Sequence, residues 1–202
     1  MLVIGLTGPT GAGKGCIAEL FASYGLPVID ADAVYHKLLV PPSKCLSELT
    51  VRFGGGILAE DGTLNRRALG RLVFSDPDAL QALNTIAHKH VMAEIRTRLE
   101  RLRRENTRAA VLDAPQLFEA GADRDCNVIV SVLADKALRL ERIMRRDSID
   151  AEIACKRIEA QKSDLFFRTH SDYVIENNDS ADRLHPKVRQ ILLEMGVLPT
   201  CG

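Results

Sequence analysis

The chain has no tryptophan, and its three tyrosines and six phenylalanines leave it only 4% aromatic over 202 residues. With so few stacking platforms, a nucleic-acid binder is disfavoured. Net charge is missing too: 27 Lys and Arg balance 27 Asp and Glu, so bulk charge recruits neither nucleic acid nor an anionic membrane. No stretch approaches eighteen consecutive apolar residues, and the apolar start meets glycines within eight positions with no basic segment before it. The reading is therefore of a chain without a membrane span or a secretory leader. The cysteines Cys16, Cys45, Cys126, Cys155 and Cys201 are odd in number and never spaced C-x-x-C, which argues against a disulfide framework or a zinc knuckle. A reducing cytoplasm is the expected compartment. An N-K-x-D base-reading motif and a D-x-x-G switch are both lacking, which excludes a signalling GTPase.

What is present describes an ordinary globular chain: 46% hydrophobic and 27% charged residues, enough to bury a core. Its length suits one domain, or one core with a lid. Residues 2–7 read as a buried strand, and Ile17, Leu20, Phe21 and Tyr24 then recur at helical spacing before Gly25. Further strands are expected at 26–30, 109–113, 127–133 and 173–176, each separated from the next by helical stretches. That alternation predicts an α/β protein with a mostly parallel sheet covered on both faces. Between the second and third strands, helices at 43–53, near 66–74 and from about 76 to 105 make too much chain for a plain crossover. They predict a substrate-holding helical subdomain at the carboxyl edge of the sheet. A second helical stretch at 135–170 and a closing helix at 180–195 complete the chain.

Gly8-Pro9-Thr10-Gly11-Ala12-Gly13-Lys14-Gly15 satisfies G-x-x-x-x-G-K-[S/T] everywhere except the last position. Glycines let successive backbone N–H groups turn toward a phosphate, the following helix offers its positive end, and the lysine reaches the β and γ oxygens. Lys14 is the only Lys or Arg among the first 36 residues, so positive charge is placed at one point. Gly15 and Cys16 stand where a hydroxyl would hold Mg²⁺. The Gly11–Gly15 stretch resembles the loop of adenylate-kinase-like enzymes, in which glycine also follows the lysine. A thiol is a poor magnesium ligand, so a carboxylate or Thr10 is the expected alternative. Asp30 and Asp32 end the second predicted strand: one can orient or deprotonate an attacking hydroxyl, and the other can cap the following helix. Asp113, ending the third strand, is a candidate for the metal shell. Arg139, Arg142 and Arg146 fall on one helix face, a pattern that suits triphosphate oxygens.

Taken together, Ile4–Gly8 with this loop, Val28–Asp32, Phe53-Gly54, Asp61–Leu69, Val73-Phe74, Ile86–His88, Leu112–Glu119, Arg142–Asp147, Arg157–Gln161 and Asp172–Asn177 resemble, in order, the dephospho-coenzyme A kinase family. The resemblance implies a three-layer P-loop kinase fold and transfer of the ATP γ-phosphate to the 3′-hydroxyl of dephospho-coenzyme A, with Mg²⁺. It implies a core of about 1–40, 107–135 and 171–202, an acceptor-binding helical insertion of about 41–106 and an Arg-rich lid of about 136–170. ATP would be bound by Gly11, Ala12, Gly13, Lys14, Gly15, Cys16, Arg142 and Arg146. Asp32, Arg66 and His88 would serve the acceptor, with Lys14, Arg142 and Asp32 acting in catalysis. Departures from the family pattern are Gly15, Cys16, Pro9, Lys89 and Gln116. A nucleoside monophosphate kinase and a non-catalytic nucleotide-binding protein are the competing readings.

Overall fold

The computed structural model describes residues 1–179 and 183–199. Strands β1 (Leu2–Thr7), β2 (Val28–Asp30), β3 (Ala109–Asp113), β4 (Val128–Leu133) and β5 (Tyr173–Glu176) form one sheet in the order β2-β3-β1-β4-β5. β1 runs parallel to β3 and β4, and β4 parallel to β5, as the alternation of strands and helices requires. Side chains alternate across the sheet. Ile4, Leu6, Val111, Val130, Val132 and Ile175 belong to one core cluster. Helix α1 (Lys14–Ser23) packs Ile17, Leu20 and Phe21 into the same cluster. Val3, Ala110 and Leu112, of the opposite parity, are also buried. Burial on both faces explains why these strands read as continuous apolar runs.

The chain divides into two compact units, one of Met1–Ile29 with Leu102–Gly202 and one of Asp30–Arg101. In the second unit lie α2 (Ala31–Leu38), α3 (Lys44–Phe53), a short 3-10 turn at Gly55–Ile57, α4 (Arg66–Phe74) and most of α5 (Pro77–Arg104). Its core is separate: Leu39, Cys45, Leu49, Ile57, Leu69 and Val73 are among its buried members. The first unit continues through β4 into α6 (Lys136–Asp147), α7 (Ala151–Glu159) and α8 (Asp164–Thr169), and ends in α9 (Leu184–Glu194).

Several boundaries move for local reasons. β2 is shorter than 26–30 because Pro27 has no N–H to give; only its carbonyl joins the sheet, accepting from Val111 N at 2.9 Å. β4 begins at Val128; Asn127 just before it donates its backbone N–H to Val3 O at 2.8 Å, while its side-chain Oδ1 stands in for a strand carbonyl and accepts from Val3 N at 2.8 Å. The helical stretch 135–170 resolves into three helices, since Ser148 takes a left-handed φ of 53° and Asp150 and Ser163 cap new helices. The closing helix begins at Leu184, and positions 180–182 of its expected span lie outside the described residues.

Phe21 is fully buried in the cluster under β1. Phe21→Ala is expected to cost about 3–5 kcal/mol of stability, read as a lower urea midpoint at unchanged m value.

Candidate functional site

Parallel pairing places Leu6 beside Asp113, so the chain leaves β1 for the glycine loop next to the carboxyl end of β3. The loop is held tightly enough to exclude side chains at three glycines, Gly8, Gly11 and Gly13; at Gly11, φ 78°, the Arg139 backbone carbonyl would stand 2.7 Å from an added Cβ. Gly8, at φ 143°, faces the Val132 carbonyl so closely that an added Cβ could not fit. Gly13, at φ 88°, caps α1 with its backbone, and the Asn177 amide occupies the space a Cβ would need. Gly15 is different: it is exposed, its φ lies outside the left-handed region, and nothing stands within 4 Å of an added Cβ. Glycine there answers to no steric demand.

Lys14 opens α1, and its Nζ is ion-paired with the Asp113 carboxylate. The two side chains are 17% and 10% exposed, so each charge needs the other to offset lost hydration. Cys16 packs its side chain against the core cluster, and its N–H donates to the Gly13 carbonyl at 3.1 Å. The thiol thus behaves as a small apolar group. Ala12 likewise turns its N–H inward, to the Pro9 carbonyl at 3.2 Å.

The α6 arginines approach the loop by its carbonyls. Arg139 is 4% exposed; its Nε donates to Thr10 O at 3.0 Å and its NH1 to Asp164 Oδ1 at 3.1 Å. This corrects the expectation of a shared phosphate-gripping face, because the Arg139 guanidinium is consumed inside the fold. Burial lowers its pKa and Asp164 opposes that shift. Arg142, half-buried, donates to Gly11 O, Ala12 O and Asn177 O at 3.4, 3.5 and 3.1 Å. Arg146 is exposed; its NH2 lies 3.4 Å from Thr10 Oγ1, while Asp147 receives its Nε at 2.7 Å and Arg157 NH1 at 2.5 Å. Thr10's hydroxyl therefore faces the α6 arginine. Hydrogen bonding from Arg146, aided by the Arg157 charge, holds the Asp147 carboxyl below its ordinary range.

The expected acceptor residues all belong to the other unit. Asp30 caps α2, its Oδ1 accepting from Ala33 N at 3.0 Å, which leaves Asp32 as the uncommitted partner of the pair, exposed in the first turn. Arg66 begins α4 and is exposed; its charge acts on the Tyr35 hydroxyl, whose pKa burial raises and Arg66 lowers. His88 is half-buried on α5. The departure at Lys89 has a structural use: its Nζ reaches both oxygens of Glu48 at 2.7 Å, and His90 Nε2 joins the same carboxylate at 2.7 Å, tying α5 to α3. Gln116 is exposed.

Two residues that touch the loop carry no role in the sequence reading, Asn177 and Gln161. Gln161 Oε1 accepts from Thr10 N at 2.8 Å, and Asn177 Nδ2 donates to Ala12 O at 2.7 Å. They sit 151 and 165 positions from their partners, so no local periodicity could expose them. Among the described residues, no group of three or more His, Cys, Asp or Glu side chains converges as a metal cage, and no helix is long and apolar enough to cross a membrane.

Asp113→Ala removes the charge beside Lys14 and is expected to lower stability by about 2–3 kcal/mol, below the figure for a fully dry pair because both groups keep some water; urea unfolding reads it. The Asp147 contribution runs with pH in a fixed sense. Its folded-state pKa is depressed, so that stability is present above the unfolded value and lost as pH falls through the folded one. Asp147→Asn should flatten the acid limb of unfolding midpoint against pH below about pH 4.

Residues 2–183 match the family model described as dephospho-CoA kinase. A dephospho-CoA kinase of Symbiobacterium thermophilum is 39% identical over 188 residues, covering 93% of this chain and 79% of that protein. The dephospho-CoA kinase of Syntrophotalea carbinolica is 36% identical over 195 residues, 96% of this chain and 92% of its own. A crystal structure from Thermus thermophilus superposes with a TM-score of 0.80 at 32% identity, over 96% of this chain and 97% of the other. With a P-loop whose lysine is seated against a strand-end carboxylate and a match running nearly end to end, the chain belongs to the dephospho-CoA kinase family.

Proposed function

We propose that this chain transfers the γ-phosphate of ATP to the 3′-hydroxyl of dephospho-coenzyme A, giving coenzyme A and ADP. The observation that carries the reading is the family match over residues 2–183, which spans the second compact unit, most of the first and every residue assigned a role. The loop's geometry supports the ATP half of it: a strand-loop-helix turn with one lysine at the helix start is a phosphate cradle.

In this reading the loop from Gly11 to Cys16 holds the β and γ phosphates, and Lys14 exchanges its contact with Asp113 for the phosphate oxygens. Arg142 and Arg146 leave carbonyl and hydroxyl acceptors of the loop for the stronger, charge-assisted bonds of the nucleotide. Asp32 receives the proton of the acceptor hydroxyl as its oxygen bonds to the γ phosphorus and the bond to the β-bridging oxygen breaks, releasing ADP. Arg66 and His88 hold the acceptor, Arg66 through anionic oxygens and His88 through a ring nitrogen.

Magnesium fits this site only as an ion carried on the nucleotide. Gly15 has no hydroxyl, Cys16 is turned into the core, and no carboxylate cage converges among the described residues. Mg²⁺ is commonly bound by one or two carboxylates together with substrate phosphates. Asp113 is the residue that would touch it. The ion, when bound, spreads the negative charge of the β and γ oxygens.

Purified protein with Mg-ATP is expected to form ADP faster with dephospho-coenzyme A than with AMP, CMP or shikimate in a coupled assay. Preference for a nucleoside monophosphate, or tight ATP binding with no turnover on any acceptor, would overturn the assignment. Lys14→Ala should lower kcat/KM about a hundredfold or more. Asp32→Asn should lower kcat by about 10²–10⁴ while ATP binding stays near that of the unaltered protein; loss of ATP affinity in that variant would place Asp32 in the fold or the metal shell instead.

A further inference from the structure

Asn177 follows β5 and is 5% exposed, an uncommon place for a polar side chain. Its backbone N–H continues the sheet to Leu133 O at 2.8 Å. Its side-chain Nδ2 donates to Ala12 O at 2.7 Å, and its backbone carbonyl accepts from Arg142 NH2 at 3.1 Å. The same amide fills the space beside Gly13 where a Cβ would otherwise stand. One residue thus touches the loop's carbonyl, the loop's capping glycine and the arginine laid across the loop.

The peptide plane gives this contact its direction. In a trans peptide the C=O of one residue and the N–H of the next point to opposite sides. Holding Ala12 O therefore turns Gly13 N–H to the opposite side, away from the Asn177 amide. Arg139 does the same to the preceding turn by holding Thr10 O, and so directs Gly11 N–H. Lys14 N–H follows directly, at the first position of α1, where no intrahelical acceptor exists.

We infer that Asn177 is a positioning residue for phosphoryl transfer, one that orients the Ala12–Gly13 peptide so that its N–H faces the nucleotide phosphates and at the same time seats Arg142. The inference rests on the ATP-binding half of the proposed function. It needs a donor at Nδ2, and an apolar or anionic group in the same space cannot replace it. A carboxylate there would meet the Ala12 carbonyl with a like partial charge while keeping the shape and the backbone bonds.

The test compares Asn177→Asp, Asn177→Ala, Gly13→Ala and the Gly13→Ala/Asn177→Ala pair. ATP and ADP affinity is measured by calorimetry without acceptor, alongside steady-state kinetics and thermal unfolding. Asn177→Ala is expected to weaken ATP about tenfold, the equivalent of one hydrogen bond, with Asn177→Asp weaker still. The KM for dephospho-coenzyme A should stay unchanged in both. Gly13→Ala keeps the strain of a left-handed φ in either background but should cost less in the Asn177→Ala background than alone, because the Asn177 amide no longer fills the space its Cβ needs. Unchanged ATP affinity in folded Asn177→Asp overturns the inference. So does a loss of kcat that only matches the loss of folded protein with both KM values intact, as does strict additivity of Gly13→Ala and Asn177→Ala. If Asn177→Ala does not fold, the near-isosteric Asn177→Asp decides. Because the calorimetry contains no acceptor, a wrong acceptor assignment would show only in the turnover panel and would leave these outcomes standing.

Discussion

A buried ammonium has to be answered by a buried carboxylate, and in this protein that requirement joins the two ends of the chemistry. Lys14 and Asp113 are 99 residues apart, yet they form an ion pair with little water on either side. Removing two such charges from solvent costs several kcal/mol, so the contact persists only where geometry is imposed from elsewhere. The imposing element is the parallel register of β1 on β3, which sets Leu6 beside Asp113 and lets the loop begin where the carboxylate ends. Sheet pairing, loop shape and lysine placement are thus one constraint.

Around that pair the glycine loop is gripped mainly by its carbonyls, with Gln161 taking the Thr10 N–H. Arg139 takes Thr10 O, Arg142 takes Gly11 O and Ala12 O, and Asn177 takes Ala12 O again. A loop of small residues has high backbone entropy, and ordering it costs about 1–2 kcal/mol per residue. Holding Thr10 O by Arg139 and Ala12 O by Asn177 places part of that cost in folding rather than in nucleotide binding. Cations at the back of the loop also add to the potential that an incoming phosphate meets.

The departures from the family pattern look milder once the side chains are placed. Cys16 acts in packing, and Gly15 stands in open space. Lys89, which follows a candidate acceptor histidine, is engaged with Glu48 and braces α5 against α3. Arg139 is the reverse case: helical spacing groups it with Arg142 and Arg146, while depth separates it from them. Periodicity reports which face a residue shares, and only packing reports how far below the surface that face lies.

The sequence by itself determined the strands, the α/β alternation, the phosphate loop and its lysine. These follow from short-range rules: apolar runs, helical spacing, and the backbone freedom that glycine alone supplies. With the family resemblance it also pointed to Asp32 for the acceptor and left Asp30 between a site role and a helix cap; the cap is what Asp30 makes, its Oδ1 accepting from Ala33 N three residues on. What tertiary structure decided were the long-range partners: Asp113 for Lys14, Gln161 for Thr10, and Asn177 for Ala12. Each joins residues 99 to 165 positions apart, brought together by parallel strands whose connections pass through helices. No local pattern encodes such a meeting, because the hydrogen bond that creates it exists only after the sheet has closed around β1.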